Sequence, residues 1–490
     1  MIRAKSSEVI LKQQEQLERG NTRLAVKAGF WYVLCTFLTK GLAFITAPIF
    51  VRLMSPADYG EFSNFANWQS MLLIIAGLEL YNTLSRAYYD HKDCFDQYAS
   101  SMTIASCAVA GVFYLLFLLF GNWIYTVVAI PAKYVHILFF TLIFQTTKSV
   151  FLTRERTLYH YKSVTLITAL SLVVPTLISI ALVVMAPEDQ VLSARIYGFY
   201  FPCSLIGVFC AAYLIFKGKT FQWKHVKYAI PLALPLLVHY LTAFLLTSTN
   251  TILTKNVLGA EPAATVSVTT SIMNILTILF QSVTGALTTW IMDQLEKKNS
   301  LKVRRCFLFF ALIIATISIG IMLVAPELIW IFGGKKYAHA VTLIPGLSVA
   351  VFFQIITTVL TIILTYNKTI IATAVFTALG ATLSIIAKVL LLPSMGYEVL
   401  PIINAIVFPC LFAVNYWLVR RSGYKKCVPL KAVCAISLLV VLAFPVSLFL
   451  YQHIVIRYAL IGLIGAAALV LIYKTKHIWI KLLRRKKKTA

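Results

Sequence analysis

Eight residues carry chemistry that their apolar surroundings do not explain. Lys40 sits near the middle of a long apolar stretch, Lys148 and Lys388 about one turn inside the ends of two others, and Arg52, Arg86 and Arg154 at the ends of three. A cation at bilayer depth costs about 2.5–3.5 kcal/mol on insertion scales, so it faces a hydrated cavity or a partner. Lys148 and Lys388 also have the alternative of snorkelling to the interface. Arg86 and Arg154, with Arg156 beside the latter, present the planar donor fork that suits a diphosphate. Ordinary loop anchoring accounts for the same arginines without any ligand. Glu79 and His239 are the titratable pair: a carboxylate or imidazole in such a place exchanges a proton as its hydration changes. A hydrogen bond to a neighbouring helix is the plainer role for His239.

Other charged groups read as inert. The segment Asp90-His91-Lys92-Asp93-Cys94-Phe95-Asp96 resembles a ligand cluster, but its spacing fits no standard zinc or calcium site and Lys92 stands in its middle. It is expected to be a solvated connection, with no metal and no cofactor. Asp58 and Glu61 are expected to be solvated at the outer mouth. None of the nine cysteines falls in an outer loop and no Cys-x-x-Cys pair occurs, so neither disulfides nor zinc are indicated. The formal charge of +27 excludes little by itself, because it is spread over short loops and a Lys481–Lys488 run suited to anionic lipid heads. Nucleic acid is not expected as a partner.

The elements that must hold these residues are helices. A chain that is 60% hydrophobic and 12% charged is an all-α polytopic membrane protein, because backbone groups at membrane depth must satisfy one another. Apolar stretches predict about fourteen spans, near 29–51, 62–84, 100–120, 134–153, 164–185, 196–216, 229–253, 266–290, 306–331, 341–364, 369–391, 398–419, 432–450 and 453–473. With both termini in the cytoplasm, 34 of the 44 Lys and Arg residues fall on that side, 7 on the other and 3 inside spans. A wrong span count would scramble that asymmetry.

The division along the chain follows from the same stretches. Residues 1–28 form a polar cytoplasmic segment, 29–216 a first lobe of six helices, 217–228 a basic and aromatic linker, and 229–421 a second lobe. Residues 422–473 add two C-terminal helices and 474–490 a basic tail. Six is even, so the lobes form a parallel pseudo-repeat. An echo supports it: Leu53–Gly60 after the first span and Val257–Ala264 after the seventh are both tight turns of small residues, entered from Arg52 and Lys255. Prolines within spans (Pro48, Pro175, Pro202, Pro235, Pro345, Pro409) either bend helices or are merely tolerated.

Arg52-Leu53-Met54-Ser55-Pro56-Ala57-Asp58-Tyr59-Gly60-Glu61-Phe62 resembles the first signature of the polysaccharide (O-antigen or capsule) flippases of the multidrug/oligosaccharidyl-lipid/polysaccharide (MOP) exporter superfamily. The likeness continues at Leu84–Asp90, Tyr228–Pro235, Tyr337–Gly346 and Tyr366–Thr369, over residues 25–421. One departure is Asn250-Thr251, where many relatives carry Asp-Arg. The resemblance implies two lobes around a central cavity, alternating access, and outward movement of an undecaprenyl-diphosphate-linked glycan across a bacterial cytoplasmic membrane. Lys40, Arg52, Arg86, Lys148, Arg154 and Lys388 would then meet the substrate, and Glu79 and His239 would couple to H+ or Na+. A polysaccharide polymerase and chain-length machinery are the implied partners. Rival readings are a cation-coupled multidrug exporter of the same superfamily and a membrane polymerase or glycosyltransferase. The first needs carboxylates in the spans, where only Glu79 and Glu327 stand out. The second needs acidic catalytic pairs or a sizeable outer loop, and neither is evident, so bond chemistry is not expected.

Overall fold

The computed structural model describes residues 31, 35, 41, 42 and 45–463, apart from 129 and 368. Lys40, the segment 1–28 and the tail 474–490 lie outside the described residues. Fifteen helices are used below: α1 (Pro56–Gly77), α2 (Leu84–Asp90), α3 (Phe95–Val128), α4 (Val135–Thr157), α5 (Tyr161–Met185), α6 (Val191–Gly218), α7 (Trp223–Thr247), α8 (Thr249–Leu258), α9 (Ala260–Glu296), α10 (Ser300–Leu323), α11 (Ala325–Gly333), α12 (Leu343–Tyr366), α13 (Ile370–Met395), α14 (Val399–Arg421) and α15 (Leu430–Leu450). No strand occurs among the described residues. Ten helices among them are long and apolar enough to cross a membrane. The all-helical polytopic architecture follows from that, since intrahelical bonds are what an apolar chain can use to satisfy its backbone in lipid.

Three expected spans are interrupted. The 62–84 stretch stops at Gly77 and resumes as a short 3-10 turn and α2. The 229–253 stretch breaks at Ser248, between α7 and α8, and the 306–331 stretch at Val324, between α10 and α11. Local chemistry sets several starts. Ser55 caps α1 by accepting the Asp58 backbone N–H at 3.1 Å, Pro56 occupies the first turn, and Asp58 places its charge at the positive end of the helix.

Packing divides the chain into two compact units, Met1–Ser267 with Thr377–Tyr397, and Val268–Phe376 with Glu398–Ala490. In the first unit α4 and α6 approach closely enough that a Cβ at Gly207 would lie 2.2 Å from the Phe144 carbonyl oxygen, and Thr147 donates to the Gly207 carbonyl at 2.8 Å. Its apolar core has two parts. One, towards the ends of the helices that carry the basic loops, joins Leu80, Leu84, Tyr98, Met102, Val150 and Ala229. The other joins Phe65, Tyr134, Leu138, Ile196 and Tyr200. In the second unit α12 is the most buried helix and packs on α10, α14 and α15.

The two echoing turns meet inside the first unit. A Cβ at Gly60 would fall 1.9 Å from the Ala260 carbonyl oxygen, so only glycine permits this approach. Beside it Lys255 Nζ lies 2.6 Å from Glu61 Oε1, both side chains largely buried. Glu61 is therefore an ion-pair partner, not the solvated carboxylate expected from sequence. Asp58 is half-buried and accepts the Ser55 hydroxyl at 2.7 Å.

Candidate functional site

The break after α1 creates the most unusual backbone in the first unit. Leu78 and Glu79 take φ values of 47° and 53°, two consecutive non-glycine residues in the left-handed region. Each costs roughly 1–2 kcal/mol, so the surroundings must hold them there. Leu80 and Leu84 supply that hold by burying themselves in the apolar core next to Tyr98. The strained turn points Glu79 inward: it is 4% exposed, and its Oε2 accepts the Asn82 amide at 2.6 Å. No ion pair with Glu79 occurs among the described residues. Further along, Thr83 and Tyr98 share a hydroxyl hydrogen bond of 2.7 Å, and Gln69 of α1 donates to Gln145 of α4 at 2.6 Å.

The end of α2 is charged and open. Arg86 Nε pairs with Asp90 Oδ2 at 2.9 Å while remaining 71% exposed. Tyr228, from α7, donates to the same oxygen at 2.5 Å. The Tyr228 hydroxyl first, and Arg86 second, hold the Asp90 carboxyl below its ordinary range, and Asp90 in turn raises Arg86. Arg86 keeps free donor capacity towards solvent.

Arg154 differs. It is 2% exposed, donates through Nε to Asp96 Oδ1 at 2.8 Å, and pairs also with Glu155. Glu155 meets His160 Nδ1 at 3.0 Å, and Lys217 Nζ stands 3.9 Å from Asp96 Oδ2. A buried guanidinium needs such partners, because an unpaired one would lose its hydration uncompensated. The pairs tie the start of α3 to the end of α4.

The remaining sequence-selected residues are dispersed. Lys388, on α13, is 0% exposed and its Nζ has no hydrogen-bond partner among the described residues. Lys148 on α4 is half-buried, and Arg52 is exposed. His239 is exposed on α7, its ring edge-on to Tyr240 at 5.5 Å. In the second unit Glu327 accepts from Arg457 and, at 2.7 Å, from the Tyr458 hydroxyl, so that carboxylate is already engaged.

Two groupings were not legible beforehand. Arg195 of α6 lies 3.5 Å from the Phe50 ring centroid and 4.2 Å from that of Phe62, and donates to Ser179 at 2.8 Å. The Asp90–Asp96 connection, expected to be solvated, instead packs on α7, where His225 reaches His91 and Cys94. His225 stands more than a hundred positions from them in the chain, and only its place in the basic and aromatic linker hinted at an interfacial role.

Among curated proteins no relative matches it. Among solved structures it resembles the lipid II flippase MurJ in an inward closed conformation, at 12% identity and a TM-score of 0.67, covering 90% of this chain and 98% of that one. It also resembles a multidrug resistance MATE family transporter of the MOP superfamily in an inward-facing conformation, at 13% identity and a TM-score of 0.59, covering 80% and 99%. A third is a MOP superfamily transporter from Pyrococcus furiosus, at 14% identity and a TM-score of 0.52, covering 82% and 96%. At these identities the shared property is the fold, that of the MOP transporters. The family described as polysaccharide biosynthesis protein matches residues 25–291. With more than half of its length matched, this multi-pass membrane chain belongs to the polysaccharide biosynthesis protein family.

Proposed function

We propose that the protein is a flippase that moves undecaprenyl-diphosphate-linked oligosaccharide units from the inner to the outer leaflet of a bacterial cytoplasmic membrane by alternating access. The sugar head cannot cross hydrocarbon unaided, so hydrated helix faces shelter it while the prenyl tail remains in lipid. The observation that carries the reading is a fully buried lysine with no hydrogen-bond partner among the described residues. Lys388 is that lysine, while of the two span carboxylates Glu327 is neutralised by Arg457 and Glu79 is hydrogen-bonded by the Asn82 amide. An anionic diphosphate satisfies such a lysine; a cationic drug does not.

Arg86, with free donors at the basic end of the first unit, is assigned the first contact with the diphosphate. Lys388, and Lys40 on the resemblance, are assigned deeper contacts; Lys148 and Arg52 complete the proposed cationic set. An inside-negative potential assists, since two negative charges moving outward gain about 4.6 kcal/mol per 100 mV. Glu79 is the proposed coupling group for an inward proton or sodium ion, because a carboxylate at a strained helix break has backbone and side-chain oxygens to share with an ion. His239, exposed on α7, is a weaker second candidate for the same role. Anionic lipids, and a polymerase with its chain-length machinery, are the proposed partners.

The test is reconstitution. Vesicles containing the purified protein are expected to expose a lipid-linked glycan to an outside glycosidase, and Lys388→Met is expected to abolish that exposure. Undiminished flipping by the Met variant overturns the assignment of Lys388. Accumulation of no lipid-linked glycan on the inner leaflet of a deletion strain overturns the function. The exporter reading is supported instead if the vesicles accumulate cationic dyes and ignore the glycan.

A further inference from the structure

We propose that His91, Cys94 and His225 form a binding site for a thiophilic divalent transition metal, zinc by their ligand chemistry. The ligand atoms of the three side chains lie within 4.8 Å of one another. Cys94 Sγ stands 3.9 Å from His225 Nε2, and the two imidazole centroids are 5.6 Å apart. Tetrahedral zinc, with bonds of about 2.3 Å to sulfur and 2.0 Å to nitrogen, separates those two ligand types by roughly 3.5 Å. A contraction of a few tenths of an ångström therefore closes this edge of the site.

The hydrogen bonds around His225 set the tautomer that a metal needs. Ser101 donates its one hydroxyl proton to the Gln97 carbonyl at 2.8 Å. Its oxygen is then an acceptor, taking the Gln222 backbone N–H at 3.1 Å and His225 Nδ1 at 3.1 Å. His225 consequently carries its proton on Nδ1 and presents the Nε2 lone pair towards Cys94. Metal-bound histidines are oriented in this way, by a second-shell acceptor on the far nitrogen. His225 is itself fully buried.

His91 contributes an independent observation. Its Nε2 is buried and has no hydrogen-bond partner among the described residues, an arrangement that costs free energy unless something fills the position. The ring is held by stacking on Tyr98 at 5.7 Å and by an edge contact to Tyr228 at 4.8 Å. Lys92, whose charge argued against a metal, is exposed to solvent. Two imidazoles and one thiolate suit zinc, with the fourth position left to water. Such an ion would staple the connection between α2 and α3 to the first turn of α7. The group shares Tyr98 and Tyr228 with the surroundings of Thr83 and Asp90, and does not depend on the transport reading.

Cobalt reports the coordination directly. The full chain, purified without a histidine tag, is expected to bind one Co2+ with a thiolate-to-metal charge-transfer band and tetrahedral d–d bands that stoichiometric Zn2+ displaces. Cys94→Ser should remove the charge-transfer band, His91→Ala should weaken binding at least tenfold, and Ser101→Ala should weaken it 10- to 100-fold through the lost orientation of His225. Cys434→Ser, an exposed cysteine on α15, should change nothing. Because the buried His225 is a risk to folding when replaced, a second measurement uses the wild-type chain: Zn2+ should slow maleimide modification of Cys94 at least tenfold. The proposal fails if the cobalt spectrum lacks a thiolate band, if Cys94→Ser leaves it intact, or if zinc gives Cys94 no protection.

Discussion

The C-terminal end of α4 and the body of α13 each bury one cation, and they solve the problem in opposite ways. Arg154 has two carboxylates within reach, one contributed by the neighbouring helix α3 and one by the next residue. Lys388 has none, nor any hydrogen-bond acceptor among the described residues. Removing an ionised group from water costs several kcal/mol even after relaxation. A cation given partners by its own fold is already satisfied, and the cation left without them among the described residues is the one proposed above to meet the diphosphate. Arg154, whose donor fork fits a diphosphate equally well on paper, has that fork engaged by Asp96 and Glu155, and we propose a scaffold role for it.

The largest expected effect tests the structural half. Arg154→Ala leaves the buried Glu155 with only His160 beside it and Asp96 with only the 3.9 Å contact to Lys217, and should lower stability by about 3–5 kcal/mol in detergent unfolding. Lys would not restore it, since a point charge does not reproduce the forked contact. An Arg154→Ala protein of unchanged stability that has lost flipping would reverse the assignment.

Next comes Lys388→Met, which removes an uncompensated buried charge. Stability should hold or rise by about 1–4 kcal/mol while transport falls at least tenfold. A loss of stability would show that Lys388 has structural partners after all.

Glu79→Gln is expected to keep the Asn82 contact, and so the fold, while making flux insensitive to an imposed proton or sodium gradient. Gradient dependence equal to the wild type would exclude Glu79 as the coupling group.

The smallest effect concerns Asp90. Its carboxyl is depressed in the folded state, so the Tyr228 and Arg86 contacts stabilise the protein above the ordinary carboxylate range. That contribution is lost as the pH falls through the lowered folded value. Thermal unfolding of Asp90→Asn should therefore differ from the wild type near neutrality and converge with it in acid. Exposure of both side chains keeps the difference small.

Much of the scaffold is readable along the chain because apolar length and loop charge are local properties. The spans at 134–153, 164–185 and 196–216 coincide with α4, α5 and α6, and the Ser55-Pro56 start of α1 carries its own cap. The site was less legible. Glu79 stands out as a lone carboxylate, yet hydropathy passes smoothly through Leu78 and Glu79, and the left-handed break comes from Leu80 and Leu84 packing beside Tyr98. The Glu61–Lys255 pair and the His91–Cys94–His225 group each join residues well over a hundred positions apart.

Composition and the periodic return of apolar stretches thus determined, unaided, that this is a helical membrane protein. Water and lipid act on each segment separately, so a single segment is enough to read their preference. Which buried charges are neutralised, which histidine faces which thiol, and where a helix must break were decided by tertiary packing. Those outcomes depend on distances of a few ångströms between segments remote in the chain, and no local pattern encodes them.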